Sequence, residues 1–121
     1  MNFLSLIIPT SFLVAASQII IKWRTNQLIS LTSSDNYPDK IYIYFTDFYI
    51  VLAYFLALIG SVIWILAIPR TPLTIGFPIY IGLTFFMVII GSIFILSESL
   101  SMLKLCAIIL IFSGILLGSI D

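Results

Sequence analysis

"FLVAASQIIIKW", residues 12–23, is the stretch whose reading decides the fold. Apart from Ser17, Gln18 and Lys22, every residue in it is apolar. Such a segment belongs either in a protein core or in lipid, and its surroundings decide which. The apolar run begins at about Asn2 and ends at Trp23, roughly the 20 residues that cross a bilayer's hydrocarbon core.

The rest of the chain points the same way. Its 121 residues are 62% hydrophobic and only 8% charged, with a mean hydropathy of +1.27. A soluble domain of this length needs a polar surface that this composition cannot supply. Lipid is therefore the expected solvent. The five basic residues balance the five acidic ones, so there is no patch for nucleic acid. A single cysteine, Cys106, excludes an internal disulfide and reads as a small buried hydrophobe. With no histidine, no zinc or haem site is expected, and no cofactor is implied. The opening "MN" lacks the positive charge of a signal peptide, so residues 3–23 read as a retained helix.

Hydropathy predicts an all-α membrane domain over 1–121 with four spans, at about 2–23, 48–68, 73–96 and 102–120. The prolines of "PRTP" (69–72) cannot continue a helix, so the second and third spans form an antiparallel hairpin. "SESLS" (97–101) is a second short turn, with serines suited to cap the fourth helix. By contrast, the first connection, about 24–47, is a long polar loop holding "SLTSSDNYPDK". "IYIYFTDFY" (41–49) leads out of it as an interfacial aromatic belt. Lys22, Arg24, Lys40 and Lys104 lie on one side and Arg70 on the other, which by the positive-inside rule places both termini outside the cytoplasm.

Every acid, namely Asp35, Asp39, Asp47, Glu98 and Asp121, lies in a loop or at an end. No carboxylate pair is placed for acid–base work, and serines without a histidine make no hydrolytic triad, so no enzyme is expected. Gln18 and Lys22 stack on one helical face beside Ser17. They form either an interfacial anchor with Trp23 and Arg24 or a site for an anionic head group. In "PLTIGFPIYIG" (72–82), Gly76 and Pro78 predict a kink with Tyr80 pointing inward, as a cavity wall or as plain packing. Gly114 and Gly118 stand at GxxxG spacing, for close packing either between two protomers or within one.

Four spans with Lys22 ending the first, "IPRTPLTIGFPIY" opening the third, "SESLS" before the fourth and "FSGILLG" within it resemble the small multidrug resistance fold. This fold belongs to the drug/metabolite transporter superfamily, and the likeness covers nearly all of the chain except the long first loop. Its multidrug exporters carry a glutamate eight residues before the terminal lysine, a position that falls on Val14 here. Their third-helix aromatic positions fall on Phe77 and Tyr80. The chain resembles more closely the paired subunits that flip 4-amino-4-deoxy-arabinose-phosphoundecaprenol. They also lack the glutamate, and the chain is similar to them in "AASQIIIK", in the Trp64-to-Pro72 spacing and in Glu98. It departs from them in having Phe77-Pro78 where they have a tyrosine–proline step.

That resemblance implies a transporter of a bacterial inner membrane that flips a polyprenyl-phosphate-linked sugar. It would work as a homodimer or as a heterodimer with a homologous small subunit. Lys22 and Arg24 are the expected phosphate ligands, Ser17 and Gln18 the hydrogen-bonding groups, and Tyr80 the lining of the path. The alternatives are a proton-coupled exporter of drugs or polyamines, and a non-transporting accessory subunit of a membrane glycosyltransferase.

Overall fold

A computed structural model describes residues 3–31 and 37–120 and, among these, contains helices and no strand. The order is α1 (Phe3–Leu31), α2 (Tyr37–Thr46), α3 (Phe48–Ala67), a single 3₁₀ turn (Ile68–Arg70), α4 (Leu73–Phe94) and α5 (Met102–Ile120). Three helices are long and apolar enough to cross a membrane: Ser5–Ile29 within α1, all of α3 and all of α4. The apolar stretch described for α5, Met102–Gly118, is shorter.

The last three helices start and stop within two residues of the expected boundaries. The first connection differs. α1 does not end at Trp23 but continues to Leu31, and α2 occupies part of what read as loop. Hydropathy marks where lipid ends, whereas a helix ends where its backbone bonding ends. Beyond Trp23 the helix is supported locally: Arg24 Nη1 donates to Gln27 Oε1 at 2.9 Å, and Thr25 Oγ1 donates to the Lys22 carbonyl at 3.1 Å. In α2 the proline stands in the first turn, where a missing N–H breaks no helical bond. The expected aromatic belt begins inside α2: Tyr42 and Phe45 are exposed, and Phe45 stacks on Tyr54 of α3 with ring centroids 6.1 Å apart. The centre of the expected loop, with Asp35, lies outside the described residues, as does Asp121.

Specific contacts fix the topology. Trp23 meets Tyr49 edge-on at 5.3 Å, while a methyl group added to Gly60 would touch Val14, so α1 and α3 are antiparallel. Gly76 lies under the Phe3 ring and Gly91 under Ile19, so α1 and α4 run parallel. Gly82 faces Ile115 and Gly118 faces Pro78, which makes α4 and α5 antiparallel. Lys22, Arg24, Asp47, Glu98 and Lys104 therefore gather at one end of the bundle.

Lipid tails are as apolar as leucine, so helices associate in a membrane through close packing at small residues. Ala15 and Ser17 of α1, Ala53 and Gly60 of α3 and Gly76 of α4 are all buried. The apolar core is a small cluster of Phe3, Ile7 and Ala67, with Trp64 and Tyr80 packed against it. Most large hydrophobic side chains lie exposed on the outside, as a lipid-facing surface requires. Cys106 is among the exposed residues, not the small buried hydrophobe the sequence implied.

Candidate functional site

A cavity of about 210 Å³ lies between α1, α3 and α4. Thr10 and Val14, one turn apart on α1, form one side. Gly60, Ser61 and Trp64 of α3 form the second, with Phe77 and Tyr80 of α4 the third. Glycine at position 60 lets two backbones approach closely. A Cβ there would lie 3.4 Å from the Thr10 carbonyl oxygen and 3.3 Å from a Val14 methyl.

The aromatic residues make a continuous wall. Trp64 and Tyr80 are 4.9 Å apart between centroids, Phe77 and Tyr80 5.9 Å, and Trp64 and Phe77 6.4 Å. The hydroxyls opposite are turned into their own helices: Thr10 Oγ1 donates to the Leu6 carbonyl at 3.0 Å and Ser61 Oγ to Ala57 at 3.1 Å. Such a wall can stack a flat or weakly polar group, or face an organic cation. Val14 occupies the position from which a carboxylate would reach the rings, and no carboxylate lines the cavity.

Of the residues expected to form a head-group site, only Tyr80 lies at this cavity. Ser17 is almost fully buried, and its hydroxyl donates to the Val14 carbonyl at 2.6 Å, so it is already satisfied. Gln18 and Lys22 stand exposed on another face of α1. At 1.5 Å per residue, Lys22 is about 18 Å along the helix from Thr10.

Arg24 is engaged inside the protein. Its Nε donates to Asp47 Oδ1 at 2.9 Å, its Nη2 lies 2.8 Å from the same oxygen, and the guanidinium sits 5.2 Å from the Tyr49 ring centroid. Asp47 in turn caps α3, accepting the Ile50 N–H at 3.3 Å. The Arg24 hydrogen bond holds the Asp47 carboxyl below the usual carboxylate range, against the opposing effect of burial and with help from the Ile50 N–H. This capping role was readable in "TDFYIV", where an aspartate precedes an apolar helical run. Its partner across 23 residues was not.

Gly76 and Pro78 lie in the first two turns of α4, which remains helical through both. Gly76 admits the Phe3 ring, since a Cβ there would stand 3.2 Å from Phe3 Cζ. The two glycines of α5 have different surroundings. A Cβ on Gly118 would be 3.7 Å from Pro78, whereas one on Gly114 would meet nothing within 4 Å.

A second recess, wholly apolar in character and about 390 Å³, runs between the outer faces of α1 and α4. Phe12, Ala15 and Ile19 line it from α1, with Met87, Gly91 and Ile95 from α4. Lys22, exposed, stands about one turn beyond Ile19 along α1, outside the lining itself. Ser11, Gln18 and Lys22 share one stripe of α1 at 7- and 11-residue spacing, beside the residues that line the recess. The buried Ser11 hydroxyl has no hydrogen-bond partner. In comparison with known proteins, the chain matches no family model, no curated protein and no solved structure.

Proposed function

We propose that the chain is a four-span protein of a bacterial inner membrane that dimerises and moves a polyprenyl-phosphate-linked sugar between leaflets. The observation that carries this reading is the apolar recess between α1 and α4, whose α1 lining runs up to Ile19 and Ile20, within one helical turn of the exposed Lys22. An oily chain in the recess would bring its phosphate to that ammonium, with the Gln18 amide beside it. A charged, hydroxylated head group cannot cross about 30 Å of hydrocarbon unaided. The Trp64–Phe77–Tyr80 wall, in the separate cavity on the α3 side of α1, offers the sugar's apolar face a stacking surface.

Two features support the finer parts of the proposal. α5, at 19 residues, rises about 28 Å and serves as the fourth span. The open face at Gly114 leaves room for a second protomer. Rocking of one protomer against the other would alternate access.

The test is transfer of a labelled polyprenyl-phosphate sugar in vesicles. Lys22→Ala abolishes transfer while membrane insertion is unchanged. Wild-type transfer by that variant removes the site. The aromatic wall favours one other reading, an exporter of organic cations, because three neighbouring rings also suit a quaternary ammonium group. Tight, pH-coupled binding of such a compound by the purified protein decides for the exporter.

A further inference from the structure

We propose that the mouth of the α4–α5 hairpin binds a zwitterionic glycerophospholipid whose head group carries a primary ammonium, as in phosphatidylethanolamine. A groove of about 310 Å³ opens there, separate from both recesses described above. Its floor is apolar, with Phe85, Ile89 and Ile93 on α4 facing Ile108 on α5. Phe85 lies eight residues below Ile93, so the floor extends about 12 Å down the helix, deep enough for the upper part of an acyl chain.

The mouth carries one charge of each sign, Glu98 from the turn and Lys104 from the first turn of α5. Backbone geometry sets both in place. Ser97 adopts a left-handed conformation, φ 57°, and turns the chain so that the Glu98 N–H bonds back to the Ser92 carbonyl at 3.1 Å. Ser101 Oγ accepts the Lys104 N–H at 3.2 Å and so starts α5 beside the groove.

Among the described residues no salt bridge joins Glu98 to Lys104, so the two share a groove without pairing to each other. Both charges are left for a ligand that carries their complements a few ångströms apart above an oily tail. A lipid phosphate would accept from the Lys104 ammonium, and a primary ammonium would donate to the Glu98 carboxylate. The Ser92 and Ser99 hydroxyls stand nearby for the remaining phosphate and glycerol oxygens. A quaternary head group has no N–H for Glu98, and an anionic one lacks the matching cation. The charge pattern therefore selects among lipids that share the same tails. Nothing in this site depends on the transport reading, and a chain inactive in transfer would still retain the lipid.

The experiment is native mass spectrometry of the full, delipidated chain in mild detergent. It is offered an equimolar mixture of phosphatidylethanolamine, phosphatidylcholine and phosphatidylglycerol with identical acyl chains. The first is retained about fivefold over each of the others, the upper end of what a half-solvated ion pair supplies. That preference disappears in Glu98→Gln and in Lys104→Gln and survives in Lys104→Arg. Equal retention of all three lipids overturns the proposal in favour of a merely greasy groove, and preference for phosphatidylglycerol overturns it in favour of a plain cation site. An unchanged preference in both glutamine variants places the lipid elsewhere. The ranking of the three lipids by the wild-type protein alone decides the ligand class, whether or not a variant folds.

Discussion

α1 and α5 are both apolar helices, yet they sit in the bundle in opposite ways. α1 is clasped between α3 and α4 and buries Ile7, Thr10, Ser11, Ala15 and Ser17 almost completely. α5 rests mainly on α4, and most of its described side chains are exposed, including Leu103, Leu110 and Leu117. The difference lies in the small residues. Against α1, Gly60 of α3 closes on the Thr10 carbonyl and Gly76 and Gly91 of α4 lie under Phe3 and Ile19, while on α5 Gly118 has found Pro78 and Gly114 has nothing within 4 Å. One helix is the scaffold of the three-helix core, and the other leaves most of its surface uncovered.

Glycine substitutions break this contrast most directly. Gly60→Leu drives a side chain into the α1 backbone at Thr10 and destabilises the bundle by about 3 kcal/mol, as overpacking at a tight contact does. Thermal unfolding in detergent measures it. Gly114→Leu, in the helix with no neighbour there, changes the same melt by less than about 1 kcal/mol. If two α5 helices meet in the proposed dimer, the same variant runs as a monomer on size-exclusion light scattering. A dimer that tolerates Gly114→Leu shows that the protomers meet elsewhere.

The polar end of the bundle gives a smaller effect. Asp47 both caps α3 and pairs with Arg24, and two substitutions separate these roles. Asp47→Asn keeps a good capping side chain and loses the charge, whereas Asp47→Ala loses both and forfeits about 1 kcal/mol from the cap alone. The folded-state pKa is depressed, so this carboxylate's contribution is complete above about pH 4 and is lost as pH falls through the depressed value. Melts of the wild type should show that acid-side loss, and melts of Asp47→Asn should lack it. An identical acid limb in both proteins would show that the pair adds nothing measurable.

The same division explains what the sequence could and could not disclose. α3, α4 and α5 were legible to within two residues because prolines and serines end them abruptly. α1 was not, since Arg24, Thr25 and Gln27 stabilise helix without adding hydropathy. The candidate site followed the same rule. Tyr80 could be placed by its neighbouring Pro78 and Gly76. The separation of Ser17 from Gln18 and Lys22 depended on which side of α1 meets α3, and a uniformly apolar helix does not announce that. Arg24 looked like a free cation at a membrane edge because its partner is 23 residues away.

The smallest expected effect lies at the turn that joins the packed part of the molecule to α5. Ser97 is the one residue other than glycine with a positive φ among those described, and an L side chain there is strained by about 1 kcal/mol. Glycine removes that strain but gives the unfolded chain more freedom to lose, so part of the gain is cancelled. Ser97→Gly should therefore stabilise by about 0.5 kcal/mol. Ser97→Val, which cannot relax at this φ, should destabilise by more than that. The pair of melts reads the turn itself, because neither variant alters the groove's charges. Stabilisation by valine would mean that the turn opens in the membrane and that α5 is held by something other than this bend.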